Sequence, residues 1–335
     1  MVTMRDVAER AEVSISTVSH VVNATRPVSD HVTVRVRQAM DDLGYQRNLL
    51  ARGLRRGQTL AIGMIVPDSV NPFFAEVARG IEDTGFAQGY TVILCNSGGD
   101  LDRELLYINK LVERQVDGII FVAAGLSSER ICEMQERRVP VVVVDRDLFG
   151  VPAAVDSVLV DNEKGGWCAT QHLLDLGHRR IACITGPSDL TPSAERVTGY
   201  RRALNAADVT VDEAMVVRGD FQYESGFMAA LRLLNLQEPP TAIFACNDLM
   251  AMGAIRAAVT KGRSVPGDLS IVGFDDVRLA AFTNPALTTV AQPKFEMGEL
   301  AASLLVERIE GADTNARRYL MDTHLVVRES TAPIG

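Results

Sequence analysis

Apolar residues recur at helical spacing through the first 45 residues of the chain. The pattern predicts helices over 3–11, 15–23 and about 29–43, the last of them ending at Gly44. Only three residues separate the first two helices. Two short helices joined by such a turn and supported by a third are typical of a helix-turn-helix, whose second helix enters the major groove of DNA.

The second predicted helix leaves polar residues exposed where a DNA-reading helix makes its contacts. Val18, Val21 and Val22 predict its buried face, so the opposite side is free. Hydroxyl and amide groups suit phosphate oxygens, and residues near the helix start suit base edges. The candidate contacts are Thr3, Ser14, Ile15, Ser16, Thr17, Ser19, His20 and Asn23. A plain three-helix bundle, with the hydroxyl residues as helix caps, is the alternative interpretation.

From residue 60 onward, short apolar runs alternate with helical stretches. The predicted strands cover 60–66, 91–95, 118–122, 140–144, 181–185, 241–245 and 270–273, and the predicted helices cover 73–89, 101–114, 128–137, 162–176, 193–206, 248–260 and 295–309. Continuous apolar strands separated by helices are typical of parallel sheets covered on both faces. Because the alternation restarts after Val160, we predict two Rossmann-like lobes with a cleft between them.

The charge is divided unevenly along the chain. The whole chain carries −9, but residues 1–57 hold nine Arg against six Asp and Glu, an excess of three positive charges. The remainder therefore carries −12. A basic end on an acidic body is expected when one small module meets a polyanion such as DNA.

Several classes of protein are disfavoured by the composition. No run of about 18 apolar residues predicts a membrane helix, and the N-terminus lacks the pattern of a signal peptide. The five Cys are odd in number and form no C-x-x-C, and the five His show no metal-ligand spacing. We therefore expect a cytoplasmic protein with reduced thiols and no metal site.

Polar and aromatic residues follow several predicted strands, where ligands bind in open α/β sheets. Carboxylates, amides and guanidinium groups beside aromatic rings are what a neutral sugar needs. The candidate ligand contacts are Asn71, Phe73, Phe74, Asp145, Arg146, Arg196, Phe221, Asn247, Asp275 and Gln292. Taken singly, a residue such as Asn247 or Asp275 is better explained as a turn or a helix cap, and the set as a whole points to a ligand site.

The first segment closely resembles a known family of DNA-binding proteins. Met4 to Ala8 and Val13 to Asn23 are similar to the headpiece signature of the LacI/GalR family of bacterial repressors. The resemblance implies a homodimer that binds a palindromic operator, with a headpiece over 1–44 and a hinge over 45–59. In that hinge, the family pattern places DNA contacts at Ala51, Leu54 and Arg55, with Leu54 as a wedge in the minor groove.

The remaining chain resembles the effector domain of the same family and, through it, periplasmic sugar-binding proteins. All ten candidate ligand contacts match residue types found in ribose-binding proteins, and the whole chain is most similar to repressors of ribose operons. The resemblance implies a periplasmic-binding-protein-like core over 60–335 and the effector D-ribose, with no cofactor. The first lobe is expected to contain about 60–160 and 292–321, and the second about 161–291 and 322–335.

We therefore expect a nucleoid-associated repressor of a sugar catabolic operon that a pentose releases from DNA. Allose or psicose as the effector, the opposite sign of response, and a phosphoprotein co-repressor stay open. A transport protein is disfavoured by the headpiece and by the absent signal peptide. An enzyme is disfavoured because no nucleophile elbow, Walker loop or metal spacing is present, so no catalytic residue is assigned. The C-terminus shows no leucine heptad, so a coiled-coil tetramer is not expected.

Overall fold

A computed structural model describes residues 2–23, 26–45, 58–122, 134, 137–146, 155–187, 190–312 and 315–334. Contacts along the chain divide it into two compact units, Met1–Thr59 and Leu60–Gly335. The predicted hinge contacts Ala51, Leu54 and Arg55 lie outside the described residues, as does most of the helix predicted near 128–137.

The N-terminal unit contains three helices: α1 (Met4–Arg10), α2 (Ile15–Asn23) and α3 (Asp30–Leu43). They pack around a small apolar core in which Val7, Val18 and Val36 are fully buried. Thr3 and Asp6 form a capping box at the start of α1. Gly44 ends α3 in the left-handed conformation, with φ 62°, which glycine adopts without a Cβ penalty. The local signals therefore set both ends of this unit.

The second unit is built from strands and helices in alternation. Its strands are β1 (Ala61–Val66), β2 (Thr91–Asn96), β3 (Gly118–Val122), β4 (Val141–Val144), β5 (Asp156–Val160), β6 (Ile181–Thr185), β7 (Val216–Arg218), β8 (Ala242–Ala245), β9 (Ser270–Asp275), β10 (Thr288–Ala291), β11 (Arg318–Met321) and β12 (His324–Val326). Its helices are α4 (Pro72–Ala87), α5 (Leu101–Glu113), α6 (Asn162–Asp175), α7 (Thr191–Ala206), α8 (Tyr223–Leu234), α9 (Asp248–Thr260) and α10 (Lys294–Ile309), with 3₁₀ turns at Glu213–Met215 and Arg278–Phe282.

The strands form two six-stranded sheets, one in each lobe. The first has the order β11-β5-β4-β3-β1-β2 and is parallel throughout. The second has the order β12-β10-β9-β8-β6-β7 and is parallel except for β12, which runs antiparallel to β10. The strands β3, β4, β6, β8 and β9 are buried along their whole length. This burial matches the continuous apolar runs from which they were predicted.

The chain crosses between the lobes three times. It leaves the first sheet after β5, returns to the first lobe after β10 to form α10, and passes back from β11 to β12. Each lobe is therefore assembled from separate stretches of sequence, and the carboxyl ends of both parallel sheets face a shared cleft. Within the described ranges, no helix has the length and apolar character to cross a membrane.

Candidate functional site

In the N-terminal unit, the start of α2 presents polar groups to solvent. The Thr17 amide donates to Ser14 Oγ at 3.1 Å, so Ser14 caps the helix, which is the role that the alternative interpretation gave to the hydroxyl residues. Ser14 Oγ also lies 2.7 Å from Ser16 Oγ and 2.8 Å from Thr17 Oγ1. Ile15 is 46% exposed, which is high for a large apolar side chain. These exposed residues form the face that the sequence assigned to DNA.

The other predicted headpiece contacts differ in how they are placed. The Thr3 hydroxyl is exposed but donates to Asp6 Oδ2 at 2.9 Å, so it serves the cap of α1. Ser19 and His20 are half-buried on α2. The side chain of Asn23, the last residue of α2, lies outside the described ones. The DNA-contact roles of all these residues stay predictions.

Replacing His20 with alanine is expected to relax base preference at one position of the bound DNA. A side chain that reads a base edge discriminates by about 1–3 kcal/mol, and this is lost with the imidazole. Selection of bound duplexes from a random library measures the change. The matched control is His31→Ala, because His31 is exposed on α3. An equal loss for all sequences would instead make His20 a phosphate contact.

In the second unit, a cleft of about 670 Å³ lies between the two lobes. Nine of the ten predicted ligand contacts line it, namely Asn71, Phe73, Phe74, Asp145, Arg146, Arg196, Phe221, Asn247 and Asp275. Gln292 is not among the lining residues. It is buried behind Asp275, and its Nε2 donates to Asp275 Oδ1 at 2.7 Å. The structure therefore places Gln292 as a support for Asp275.

Arg196 is held rigidly at the floor of the cleft. It is 4% exposed, and its guanidinium stacks 3.8 Å from the ring centroid of Phe274. Its Nε donates to Asn162 Oδ1 at 2.8 Å, and its Nη1 donates to the Cys246 carbonyl at 2.6 Å and lies 3.6 Å from Asp275 Oδ1. A guanidinium fixed on three sides is preorganised to donate its remaining hydrogen bonds to a ligand.

Two buried carboxyl groups flank this arginine. Burial raises the pKa of Asp275 to about 6, against the opposing charges of Arg196 and Lys294. Burial also raises the pKa of Asp145, against the charges of Arg196 and Arg146. Among the described residues, no protein group donates to the buried Oδ1 of Asp145. An acceptor that is buried without a partner is costly, and a ligand hydroxyl would satisfy it.

The backbone at these positions departs from ordinary conformations. Positive φ angles occur at Asp145 (72°), Phe221 (70°) and Asp275 (110°), none of which is glycine. Such strain persists only where the surrounding structure enforces it, and it concentrates at binding sites. At Phe221, Asn247 provides part of this support, because its Nδ2 donates to the Phe221 carbonyl at 3.0 Å.

Amide side chains and aromatic rings complete the lining. Asn71 caps α4 through the Phe73 amide at 3.0 Å, and Asn247 caps α9 through the Met250 amide at 2.9 Å. The rings of Phe73 and Phe74 meet edge to face at 5.1 Å. The two asparagines are therefore helix caps that also line the cleft, so the structural and functional interpretations of these residues are compatible.

The sequence reasoning missed several residues that line the cleft. These are Pro67, Asp68, Asn96, Ser97, Gly98, Gly99, Leu101, Glu104, Pro187, Leu190, Pro192, Asp220 and Gln222. Asn96 is the last residue of β2, and Asp68 and Ser97 follow the carboxyl ends of β1 and β2, so the rule that selected Asn71 could have found them. Glu104 and Gln222 lie at or before the first turn of a helix, and no local pattern marks them.

Known families match both units. Residues 3–48 match the family described as "Bacterial regulatory proteins, lacI family", and residues 170–331 match the "Periplasmic binding protein-like domain". The chain is 40% identical over 335 residues, all of both chains, to an HTH-type transcriptional repressor PurR of Vibrio atlanticus (strain LGP32). The chain belongs to the lacI family. The predicted family and the predicted fold class are confirmed.

Other relatives cover this lacI-family protein almost completely. It is 41% identical over 334 residues to the ribose operon repressor of Escherichia coli (strain K12), covering 98% of this chain and 100% of that one. A lac repressor dimer bound to operator and the anti-inducer ONPF has a TM-score of 0.87 at 28% identity, with 99% of each chain covered. A lacI-family regulator of Enterococcus faecium with bound ribose has a TM-score of 0.76 at 33% identity, covering 82% of this chain and 100% of that one.

The relatives also decide the broad class of this lacI-family protein. The curated relatives named above are transcriptional repressors, a class without enzymatic activity. The protein is therefore a DNA-binding transcriptional regulator and not an enzyme, as the sequence predicted. The relatives carry two different names, a ribose operon repressor and PurR repressors. Membership of the family therefore does not identify the effector, and the residues that line the cleft must be considered.

Proposed function

We propose that this protein is a homodimeric repressor that binds a palindromic operator and is released from it by D-ribose. Residues 1–44 hold the DNA, the hinge over 45–59 enters the minor groove, and the core over 60–335 binds the sugar. Sugar binding favours the closed arrangement of the lobes. In this arrangement the two subunits of the dimer cannot bind the operator together. The protein acts in the cytoplasm, on the nucleoid.

The charge of the cleft carries the choice of effector class. Five carboxyl groups line it (Asp68, Glu104, Asp145, Asp220 and Asp275) against two guanidinium groups (Arg146 and Arg196). This excess of acceptors repels phosphates and other anions and favours a neutral ligand with many hydroxyl donors. Phe73, Phe74 and Phe221 offer apolar faces to the C–H groups of a sugar ring. The ribose-bound relative from Enterococcus faecium supports a pentose.

A purine base is the second candidate, because a relative named PurR matches the whole chain at 40% identity. The acidic lining supports the sugar better, since every hydroxyl of a sugar can donate to a carboxyl group, whereas a purine base also presents ring nitrogens that only accept hydrogen bonds. Two further alternatives use the same cleft. In one, the sugar promotes DNA binding, which reverses the sign of the response. In the other, the regulator also needs a phosphoprotein co-repressor as a partner.

Calorimetric titration tests the proposal, with D-ribose, D-allose, D-psicose and the purine bases guanine and hypoxanthine as ligands. Each ligand is titrated with and without an operator duplex selected from a random library. We expect D-ribose to bind tightest and to bind more weakly when operator is present. Tighter binding of a purine base would overturn the sugar assignment, and tighter ribose binding on operator would reverse the sign of the response.

Ribose affinity is expected to rise about tenfold from pH 5 to pH 7. Burial raises the pKa of Asp275 to about 6 in the free protein. A hydroxyl that donates to this group favours its ionised form, so its pKa falls on binding and a proton is released. Titrations at pH 5, 6 and 7 in buffers of different ionisation enthalpy measure both effects. The Asp275→Asn variant should show a weaker pH dependence, with the remainder arising from Asp145, whose pKa burial also raises. An affinity that falls with pH in the wild type would contradict this role.

A further inference from the structure

Loops from the two lobes meet directly at the edge of the cleft. Gln222, in the loop before α8 of the second lobe, donates from its Nε2 to Oδ2 of Asp68, in the loop after β1 of the first lobe, at 3.2 Å. Both side chains line the cleft and are half-buried. Arg196 and Asp275 are 4% and 5% exposed, so they lie deeper. The Gln222–Asp68 hydrogen bond therefore spans the mouth of the cleft.

Each partner is oriented by its own lobe before it meets the other. The Val70 amide donates to Asp68 Oδ1 at 2.9 Å, which leaves Oδ2 for the opposite lobe. Asn96 Nδ2 donates to Ser69 Oγ at 3.0 Å and fixes the same loop on β2. In the second lobe, the backbone N–H of Gln222 donates to Asp220 Oδ1 at 2.9 Å. Gln222 is the N-cap residue of α8, but its side chain makes no capping hydrogen bond. Its side-chain amide is therefore available to cross the cleft.

The position of this hydrogen bond makes it sensitive to opening. Another link between the lobes lies near a crossing, where Lys294 Nζ donates to the Asp275 and Asp276 carbonyls at 2.6 and 2.8 Å. When one lobe rotates relative to the other about the crossings, atoms near the crossings move little and atoms at the mouth of the cleft move most. Because a hydrogen bond is lost once its atoms separate by a further ångström, opening breaks the Gln222–Asp68 bond before the Lys294 contacts.

We propose that Gln222 and Asp68 form a latch that holds the cleft closed over the effector and sets effector affinity. The proposal rests on the proposed function, since it assigns regulation to the same cleft. Without the latch, the closed arrangement is less populated, and the apparent affinity falls by the same factor. Gln222 and Asp68 act as positioning residues, because their effect reaches the ligand through the closure of the lobes.

Exchanging the two hydrogen-bonding groups tests the latch in the full-length protein. Gln222→Glu sets a carboxylate against Asp68 at pH 7, and we expect D-ribose to bind about tenfold more weakly, as for the loss of a hydrogen bond to a charged group. Adding Asp68→Asn reverses donor and acceptor: the introduced amide donates to the introduced carboxylate. The double variant should return to within about threefold of wild-type affinity. A double variant no better than Gln222→Glu would overturn the latch.

Hydrogen exchange in the ligand-free protein separates the latch from the choice of effector. Gln222→Glu should speed amide exchange at least about threefold in residues 67–71 of the opposite lobe, and the double variant should restore it. Gln237→Glu is the control, because Gln237 is exposed in the second lobe away from the cleft. Unchanged exchange in 67–71 would contradict the latch. If the wild type fails to bind D-ribose, the effector assignment fails while hydrogen exchange still decides the latch.

Discussion

Replacing Arg196 with alanine is expected to lower effector affinity at least about 100-fold while operator binding stays within about twofold. The guanidinium lines the cleft and lies 3.6 Å from Asp275, whose side chain is 7% exposed. A hydrogen bond from a charged group to the ligand is worth about 1.5–3 kcal/mol, and this is lost with the guanidinium. The fold itself is also destabilised, by about 3–5 kcal/mol, because the buried Asp275 loses its charged partner. Asn162 and the Cys246 carbonyl also lose their donor.

Calorimetry with D-ribose and fluorescence anisotropy with labelled operator measure the two activities of the Arg196→Ala variant. Arg202→Ala is the matched control, because Arg202 lies on the same helix but its side chain is 61% exposed and pairs with Glu163 at the surface. Loss of operator binding in a folded Arg196→Ala protein would contradict the separation of DNA binding and effector binding between the two units.

The second large effect is expected from Gly199→Val, through the crossing of α6 and α7. A Cβ at Gly199 would overlap the Glu163 carbonyl, and a Cβ at Gly166, on the facing helix, would overlap the carbonyl of Arg196. Both obstacles are backbone atoms of a helix, which cannot move aside as a flexible side chain does. We expect the free energy of unfolding to fall by about 3 kcal/mol and the melting temperature by about 6–10 °C.

Effector affinity should fall in the same variant, because Arg196 lies on α7 less than one turn from Gly199 and depends on the close crossing to reach Asn162 on α6. Thermal unfolding followed by circular dichroism measures the stability. Thr198→Val adds the same β-branched side chain one residue earlier, at an exposed position, and should change stability by under about 1 kcal/mol. Equal melting temperatures for the two variants would contradict this prediction, because they would show that the crossing of α6 and α7 accommodates a valine side chain at residue 199.

The parts of the fold that local signals determine could be predicted from sequence. Caps at Thr3, Ser14 and Gly44 mark the headpiece helices, and buried strands such as β6 appear as continuous apolar runs. The apolar pattern of the sequence predicts none of β5, β7, β10, β11, β12 and α8. The strand β11 alternates between exposed and half-buried residues at one edge of its sheet. Such short edge strands exist through their pairing, which is a tertiary property.

The candidate site divides along the same line. The rule that ligands meet the carboxyl ends of strands selected Asn71, Asp145, Asn247 and Asp275, all of which line the cleft. It could not separate Gln292 from the lining, because the distance from a side chain to the cleft depends on packing. The Gln222–Asp68 contact joins residues 154 positions apart. Such a contact follows from how the lobes face one another, which no local pattern encodes.

The three crossings between the lobes have a consequence for how the chain is made. The first sheet ends at β11, and α10 packs on its strands β3, β4 and β5, so both elements arrive from the ribosome after the second lobe has nearly been made. Until residue 321 emerges, the edge of β5 and the face that α10 will cover stay open to other chains. A gene fragment ending near residue 160 should therefore give insoluble protein.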